Sequence, residues 1–422
     1  MHGFWPVEQQ CVALPSGLRS RPWNRIYSRP KYIVTIWLIL DVFHAATRHI
    51  EKNHDIEVLR TVAIVFVILA HVAGILSPDS RYWRILDYAR FGSGVDLFFC
   101  VSGFIITSSI LSTVPKDKSL SAFVNFTVPF WKKRFWRLMP SAIFWIVIVL
   151  LLASIWGGKG QIIPFESMSS SALHALTQTQ NFYFIECRPA GTCGELGIYW
   201  SLSLENQFYL LLPLLAFFLT DRKLALFFFI VFITQVFLPR TLNAATPVMW
   251  PLRTDAVALG VIIAIFAHNA PSSRPCPRLL ESKTFCAGAF MIALLLLALL
   301  SSPQPLLSFS VGITAMVSGF LVLLASYNRG CFSSYPAVRV FCDYIGSRSY
   351  SIYLTHVVAL ALTKILFFSA ATRYDGLHTA LYLTFFLTAT LLMSEFNYRI
   401  IEMPLRALGR KSKPKKPVAP FV

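Results

Sequence analysis

Two histidines, a carboxylate and a set of arginines in this chain are embedded in or beside long apolar runs, where an ionisable side chain is costly and needs a reason. Arg60 and His71 are eleven residues apart. At 100° per residue they share one helix face, about 16 Å apart along the axis. Ser201, Glu205 and Tyr209 fall at i, i+4, i+8 and form one polar stripe, and Ser349, Tyr353 and His356 share a face by the same arithmetic. An imidazole titrates near neutrality, so His71 and His356 suit proton transfer, with Glu205 a candidate to orient or assist them. Lys132, Lys133, Arg134 and Arg137 form a basic cluster suited to an anionic ligand, and Asp96, Arg253 and Asp255 are candidates to hold a polar one. For each residue alone a structural role stays open. Arg60 and Arg253 can anchor a helix at a membrane surface, Asp96 can favour a helix start, and His71 can bond a neighbouring helix. Ser102, followed by Gly103, reads as a packing residue rather than a nucleophile.

The elements that must position these groups are membrane helices. Of the 422 residues, 55% are hydrophobic and 14% charged, too few charges to cover a water-soluble surface. Apolar runs of the length needed to cross about 30 Å of hydrocarbon recur from Thr61 to Tyr398. They predict ten spans, at 61–77, 94–113, 138–156, 199–220, 224–239, 253–268, 284–300, 306–326, 348–369 and 378–399. The expected fold is therefore an all-α integral membrane protein with about ten transmembrane helices and both termini cytoplasmic.

The net charge of +18 could suggest nucleic acid, but its distribution argues otherwise. With Arg60 inside and the sides alternating, the inner loops hold 21 Lys and Arg and the outer ones 8. That bias follows the positive-inside rule and fixes the orientation. The expected location is the cytoplasmic (inner) membrane, with lipids as neighbours and no nucleic-acid partner. Eight cysteines show no paired ligand spacing, so no metal site is expected. Cys187 and Cys193 lie in one predicted outer loop, where a small disulfide is open to them but not required. Residues 1–54 read as an interfacial or disordered extension, 55–406 as the membrane domain, and 407–422 as a basic cytoplasmic tail.

Seven motifs in order resemble the acyltransferase-3 family of membrane O-acyltransferases. They are Arg60 through His71; Gly94-Val-Asp-Leu-Phe-Phe-Cys-Val-Ser-Gly-Phe104; Trp131-Lys-Lys-Arg-Phe-Trp-Arg-Leu-Met-Pro140; Trp200-Ser-Leu-Ser-Leu-Glu-Asn-Gln-Phe-Tyr209 with Pro213; Arg253-Thr-Asp-Ala; Gly346-Ser-Arg-Ser-Tyr-Ser-Ile-Tyr-Leu-Thr-His356; and Ile401-Glu-Met-Pro-Leu-Arg406. Together they cover residues 55–406. Two departures are Cys100, where the family commonly has an aliphatic residue, and Asn206, where a second acidic residue is common.

The resemblance implies transfer of an acyl group, usually acetyl from cytoplasmic acetyl-CoA, to a hydroxyl of an envelope saccharide, lipopolysaccharide or lipid-linked glycan. The acyl-CoA is a donor substrate, and no permanently bound cofactor is expected. His71 is then the expected base, with Glu205 and His356 as catalytic partners. Arg60, Lys132, Lys133, Arg134 and Arg137 are expected to hold the donor's phosphates. Asp96, Ser201, Tyr209, Arg253, Asp255 and Tyr353 are expected to bind substrate. Some members carry an esterase-like extracytoplasmic domain after the last helix, whereas this sequence runs about 20 residues past it. The expectation is that the membrane domain completes the transfer itself or with a separate extracytoplasmic transferase. A transporter or flippase of a polar lipid-linked substrate is the competing reading, since buried histidines and carboxylates also suit proton coupling. A sensory or scaffolding role is disfavoured by the lack of a soluble output domain in the sequence.

Overall fold

The computed structural model describes residues 52–77, 79–159, 162–240, 251–270, 277–302, 307–368, 372 and 374–411. The expected N-terminal extension up to residue 51 and the tail from 412 lie outside them. Each of the ten expected spans contains a helix. Among the described residues, seven helices are long and apolar enough to cross a membrane, namely α1 (His54–Val72), α3 (Gly94–Leu111), α4 (Leu120–Trp156), α7 (Tyr199–Phe218), α10 (Lys283–Leu300), α12 (Pro336–Phe367) and α13 (Gly376–Phe396). The remaining three spans are shorter, at α8 (Asp221–Val236), α9 (Asp255–Asn269) and α11 (Ser310–Ser326). Short α2 (Arg81–Tyr88), α5 (Phe165–Leu176) and α6 (Gln180–Cys187) lie between spans, and α14 (Met403–Lys411) follows the last one. The chain is an all-α, multi-pass membrane protein. The face bearing the basic loops is called inner below.

Close backbone approach holds the centre. Where α3 crosses α9, a Cβ added to Gly103 would stand 2.4 Å from the Val257 carbonyl oxygen, and one on Gly260 would stand 2.1 Å from that of Cys100. Small residues let membrane helices meet where lipid supplies no hydrophobic drive between them. Gly260→Val must push the two helices apart, and the expected loss is at least about 1–3 kcal/mol of stability. A fall in the thermal unfolding midpoint in detergent, without loss of insertion, checks it.

Two elements differ from expectation. The third span was expected at 138–156, but α4 runs 37 residues and carries the basic motif on a continuous helix, with Pro129 and Pro140 inside it. Residues 157–198 were expected as an outer loop. Instead α5 and α6 form a hairpin whose tip packs against α7. Asn206 Nδ2 donates to Gln178 Oε1 at 2.7 Å, Gln207 Nε2 to the Gln178 carbonyl at 2.8 Å, and the Gln180 N–H to Ser203 Oγ at 3.3 Å. Asn206 and Gln207 lie roughly 10 Å along α7 from its Tyr199 end. Non-helical backbone at that depth needs polar partners, and these amides supply them. Asn206 thus serves the hairpin tip. The sequence hid this hairpin because neither arm is long enough to span.

At the inner face Asp55 is fully buried and accepts from the N–H groups of Cys331, Phe332 and Ser333, each at 2.9 Å, and from Ser333 Oγ at 2.8 Å. The start of α1 is thereby tied to the α11–α12 loop. Cys187 and Cys193 are paired, as are Cys286 and Cys331, a second bridge that spacing gave no reason to expect. At the far end, Pro404 lacks the N–H that would continue the helical ladder, and a π-turn over Asn397–Glu402 joins α13 to α14. The turn aims Asn397 inward, where it accepts from Trp145 Nε1 at 3.0 Å and donates to Ser351 Oγ at 2.7 Å.

Candidate functional site

Two cavities enter the bundle from opposite faces and meet at Val95 and Tyr353, which line both. The inner one, about 90 Å³, is bounded by α1, α3, α4, α7 and α12. Its polar lining is Arg60, Ser102, Arg134, Arg137, Ser201, Glu205, Tyr209, Ser349, Tyr350 and Tyr353. The outer one, about 700 Å³, is lined by His71, Arg90, Arg188, Glu195, Arg253 and Lys364, with Trp83 and Trp200 as aromatic walls.

The expected stripe on α7 faces the inner cavity with all three members. Glu205 accepts hydrogen bonds from the hydroxyls of Ser102 and Tyr209. Ser102 is therefore a carboxylate partner, while the packing role anticipated for it belongs to Gly103. Arg134 lies 5.5 Å over the Tyr209 ring. Arg60 Nη2 donates to Ser349 Oγ at 2.9 Å, and its Nη1 is 3.2 Å from the Glu57 carboxylate. Helical spacing divides the basic motif: Arg134 and Arg137 face the cavity, and Lys132 and Lys133 face outward and are exposed. Of the four, only Arg134 and Arg137 line the inner cavity.

Between the cavities, the Tyr353 hydroxyl donates to the Ile198 carbonyl at 3.0 Å and lies 2.6 Å from Ser201 Oγ. On the outer side, His71 Nδ1 donates to the Val67 carbonyl at 2.8 Å. That bond fixes the tautomer and leaves Nε2 with a free lone pair on a ring that borders the cavity. His356 packs behind it, fully buried, with ring centroids 4.8 Å apart and Nδ1 bonded to the Tyr353 carbonyl at 2.7 Å. His356 Nε2 has no partner among the described residues.

Glu205 does not meet His71: the first lines the inner cavity and the second the outer. A 3₁₀ turn over Gly194–Ile198 precedes α7 and sets Glu205 further from the outer end of the helical stretch than the start of α7 alone would. Asp96 and Asp255, expected to bind substrate, line neither cavity. Both are fully buried in ion pairs, Asp96 with Arg253 (Nε to Oδ1 2.7 Å) and Asp255 with Arg240 (2.7 Å). Arg253 stacks over Trp200 at 5.2 Å and reaches the edge of the outer cavity. Sequence reasoning missed Lys364 and Glu195. Lys364 interrupts the apolar end of the ninth expected span, the same signal that drew attention to His71; Glu195 sits in a turn and gives no spacing signal.

The profile of the family described as an acyltransferase domain matches residues 53–394. The chain is 26% identical over 378 residues to the O-acetyltransferase OatA of Staphylococcus aureus, covering 84% of this chain and 57% of that protein. It is 27% identical over 380 residues to the peptidoglycan O-acetyltransferase OatA of Listeria monocytogenes, covering 84% and 56%. It is 24% identical over 390 residues to the putative peptidoglycan O-acetyltransferase YrhL of Bacillus subtilis, covering 87% and 57%. The chain thus spans little more than half the length of these relatives. No solved structure matches it.

Proposed function

We propose, from the premise that the chain belongs to the acyltransferase-3 family, that it moves an acetyl group from acetyl-CoA at the inner face to a hydroxyl of an envelope saccharide at the outer face. The observation that carries the reading is the pair of cavities meeting at Val95 and Tyr353, with arginines on the inner one and an imidazole on the outer. Relatives named as peptidoglycan O-acetyltransferases support a glycan acceptor.

In this account Arg60, Arg134 and Arg137 hold the donor's phosphates, and the extended thioester arm reaches the wall formed by Val95 and Tyr353. The acceptor hydroxyl enters from the other side. His71 Nε2 takes its proton as the oxygen attacks the acetyl carbon. The carbon–sulfur bond breaks, the ester forms, and the proton passes to the departing thiolate. His356 is a positioning residue that fixes the His71 ring through contact. Ser102, Glu205 and Tyr209 form a hydrogen-bonded group that shapes the donor cavity.

Arg60→Ala is expected to raise the KM for acetyl-CoA about tenfold while changing that for the acceptor little, since the residue borders only the inner cavity. Initial rates at varied donor and fixed acceptor check it, and an unchanged donor KM removes the assignment. For the reaction as a whole, glycan mass spectrometry of a deletion strain against the complemented strain should show an acetyl increment lost and restored. Identical spectra would overturn the function, and substrate movement in liposomes without donor would favour transport.

A further inference from the structure

One of the seven motifs, Ile401-Glu-Met-Pro-Leu-Arg406, lines neither cavity and has no part in the chemistry above. It runs from the π-turn into α14. Asn397, where the turn starts, bonds Trp145 on α4, and further along Gly409 lies so close to α4 that an added Cβ would stand 3.0 Å from the Trp136 Cβ and 3.5 Å from the Lys133 Cα. The segment thus descends along α4 towards the inner face. Arg406, three residues before Gly409, shares the side of α14 that meets α4. Its guanidinium is near enough to those of Arg137 and Arg134 for the three charges to act on one another.

These three arginines are unmatched. Among the described residues none of them makes a hydrogen bond or an ion pair. Arg134 has only the aromatic faces of Phe130 and Tyr209, and Arg137 Nε is buried without a partner. The carboxylates whose charge reaches them, Glu205 at Arg134 and Glu402 at Arg406, are held by hydroxyls instead. Glu205 accepts from Ser102 and Tyr209, and Glu402 from Ser351 at 2.9 Å. Arg410, exposed on α14, adds a further positive charge beside Arg406. Like charges gathered at half-buried positions repel, and an anion among them relieves the repulsion.

The inner cavity holds about 90 Å³, whereas pockets that enclose a small molecule hold roughly 300–1,000 Å³. A thioester arm fits, and the nucleotide that carries it must lie at the mouth. Arg137 lines the cavity and Arg406 does not, so the pair spans its edge. We infer that α14 is part of the donor site, with Arg406 and Arg137 together gripping a phosphate at the nucleotide end of acyl-CoA. This rests on the proposed acetyl-CoA donor and adds a binding residue to it. A guanidinium fork matches two phosphate oxygens, and the pantetheine arm offers no charge to either residue. Donor choice follows, because a thioester without a nucleotide leaves these arginines without an anion.

The test uses the full chain in lipid nanodiscs and equilibrium dialysis of labelled CoA, dephospho-CoA and pantetheine, without acceptor. Arg406→Gln is expected to weaken CoA binding at least tenfold and to leave pantetheine binding unchanged, with the difference shrinking as salt rises. Arg406→Lys, which keeps the charge, should recover part of the loss. The unfolding midpoint without ligand should not fall, since the side chain has no partner to lose, whereas a structural role would lower it. A loss with CoA that disappears with dephospho-CoA puts Arg406 on the 3′-phosphate, and one shared by both puts it on the diphosphate. CoA affinity within twofold of native, or an equal loss for CoA and pantetheine, overturns the inference and leaves acetyl transfer standing. So does a variant that keeps CoA affinity but sheds bound phosphatidylglycerol, which gives the arginine to a lipid headgroup. Arg406-dependent CoA binding with no acetyl reaching any envelope saccharide upholds the site and sinks the transfer.

Discussion

His71→Ala is expected to lower kcat by about 10²–10⁴-fold, the usual worth of a positioned general base, while leaving membrane insertion, the unfolding midpoint and the KM for acetyl-CoA close to native. The split follows from position. His71 borders the outer cavity and not the inner one, so its loss should not disturb donor binding. Its Nδ1 is spent on the Val67 carbonyl, and a backbone carbonyl at a helix end tolerates loss of that partner better than a buried charge would. His71→Gln should be equally inactive, since an amide can hydrogen-bond but cannot take the proton. His356→Phe keeps a ring against His71 at similar volume, and an intermediate loss in kcat with unchanged KM is expected if its role is to position. Rates of the His71 variants within threefold of native would remove the base from the account.

Arg253→Ala is expected to give the largest stability loss of any single substitution near the site, about 3–5 kcal/mol, because it strands a fully buried carboxylate. Asp96 lies 0% exposed in a pair that joins the start of α3 to the start of α9. Replacing both partners by leucine should recover most of that loss, since neither charge is then left alone in the interior. Thermal unfolding of the four forms in detergent gives the coupling directly. Midpoints that add independently would show that the pair is not the structural tie described here. The result also bears on the activity of such variants: a loss caused by Arg253→Ala that the double leucine form reverses reports folding, whereas one that persists reports the contribution of Arg253 to the outer cavity.

How much of this was legible in the sequence depends on whether one helix or several decide the answer. Hydropathy placed a helix in each of the ten expected spans, because it depends on local composition, and charge bias supplied the expected orientation. Facial arithmetic within a helix also held. Ser201, Glu205 and Tyr209 do line one cavity, and Arg60 and His71 do lie on the same side of α1 as the route between the two faces. What did not follow was anything set by neighbouring helices. Asp96, Arg253 and Asp255 looked like ligands because they are polar near an outer mouth, and only the crossing of α3 with α9 shows the Asp96–Arg253 pair closing on itself. Lys132 and Lys133 could not be told from Arg134 and Arg137 while the motif was read as loop, since the division appears only once α4 continues through it. The α5–α6 hairpin was lost for a related reason. Its depth is decided by Ser203, Asn206 and Gln207 on α7, and not by its own hydropathy.

The central claim is that donor and acceptor meet across the wall at Val95 and Tyr353 from opposite faces of the membrane. It is tested most directly with sealed proteoliposomes sorted for one orientation, with isotopically labelled acetyl-CoA on the face bearing the basic loops and a saccharide acceptor on the other. The account predicts labelled ester on the acceptor in the opposite compartment, dependent on His71 and absent when donor and acceptor exchange sides. Transfer only when both substrates occupy the same compartment would contradict it.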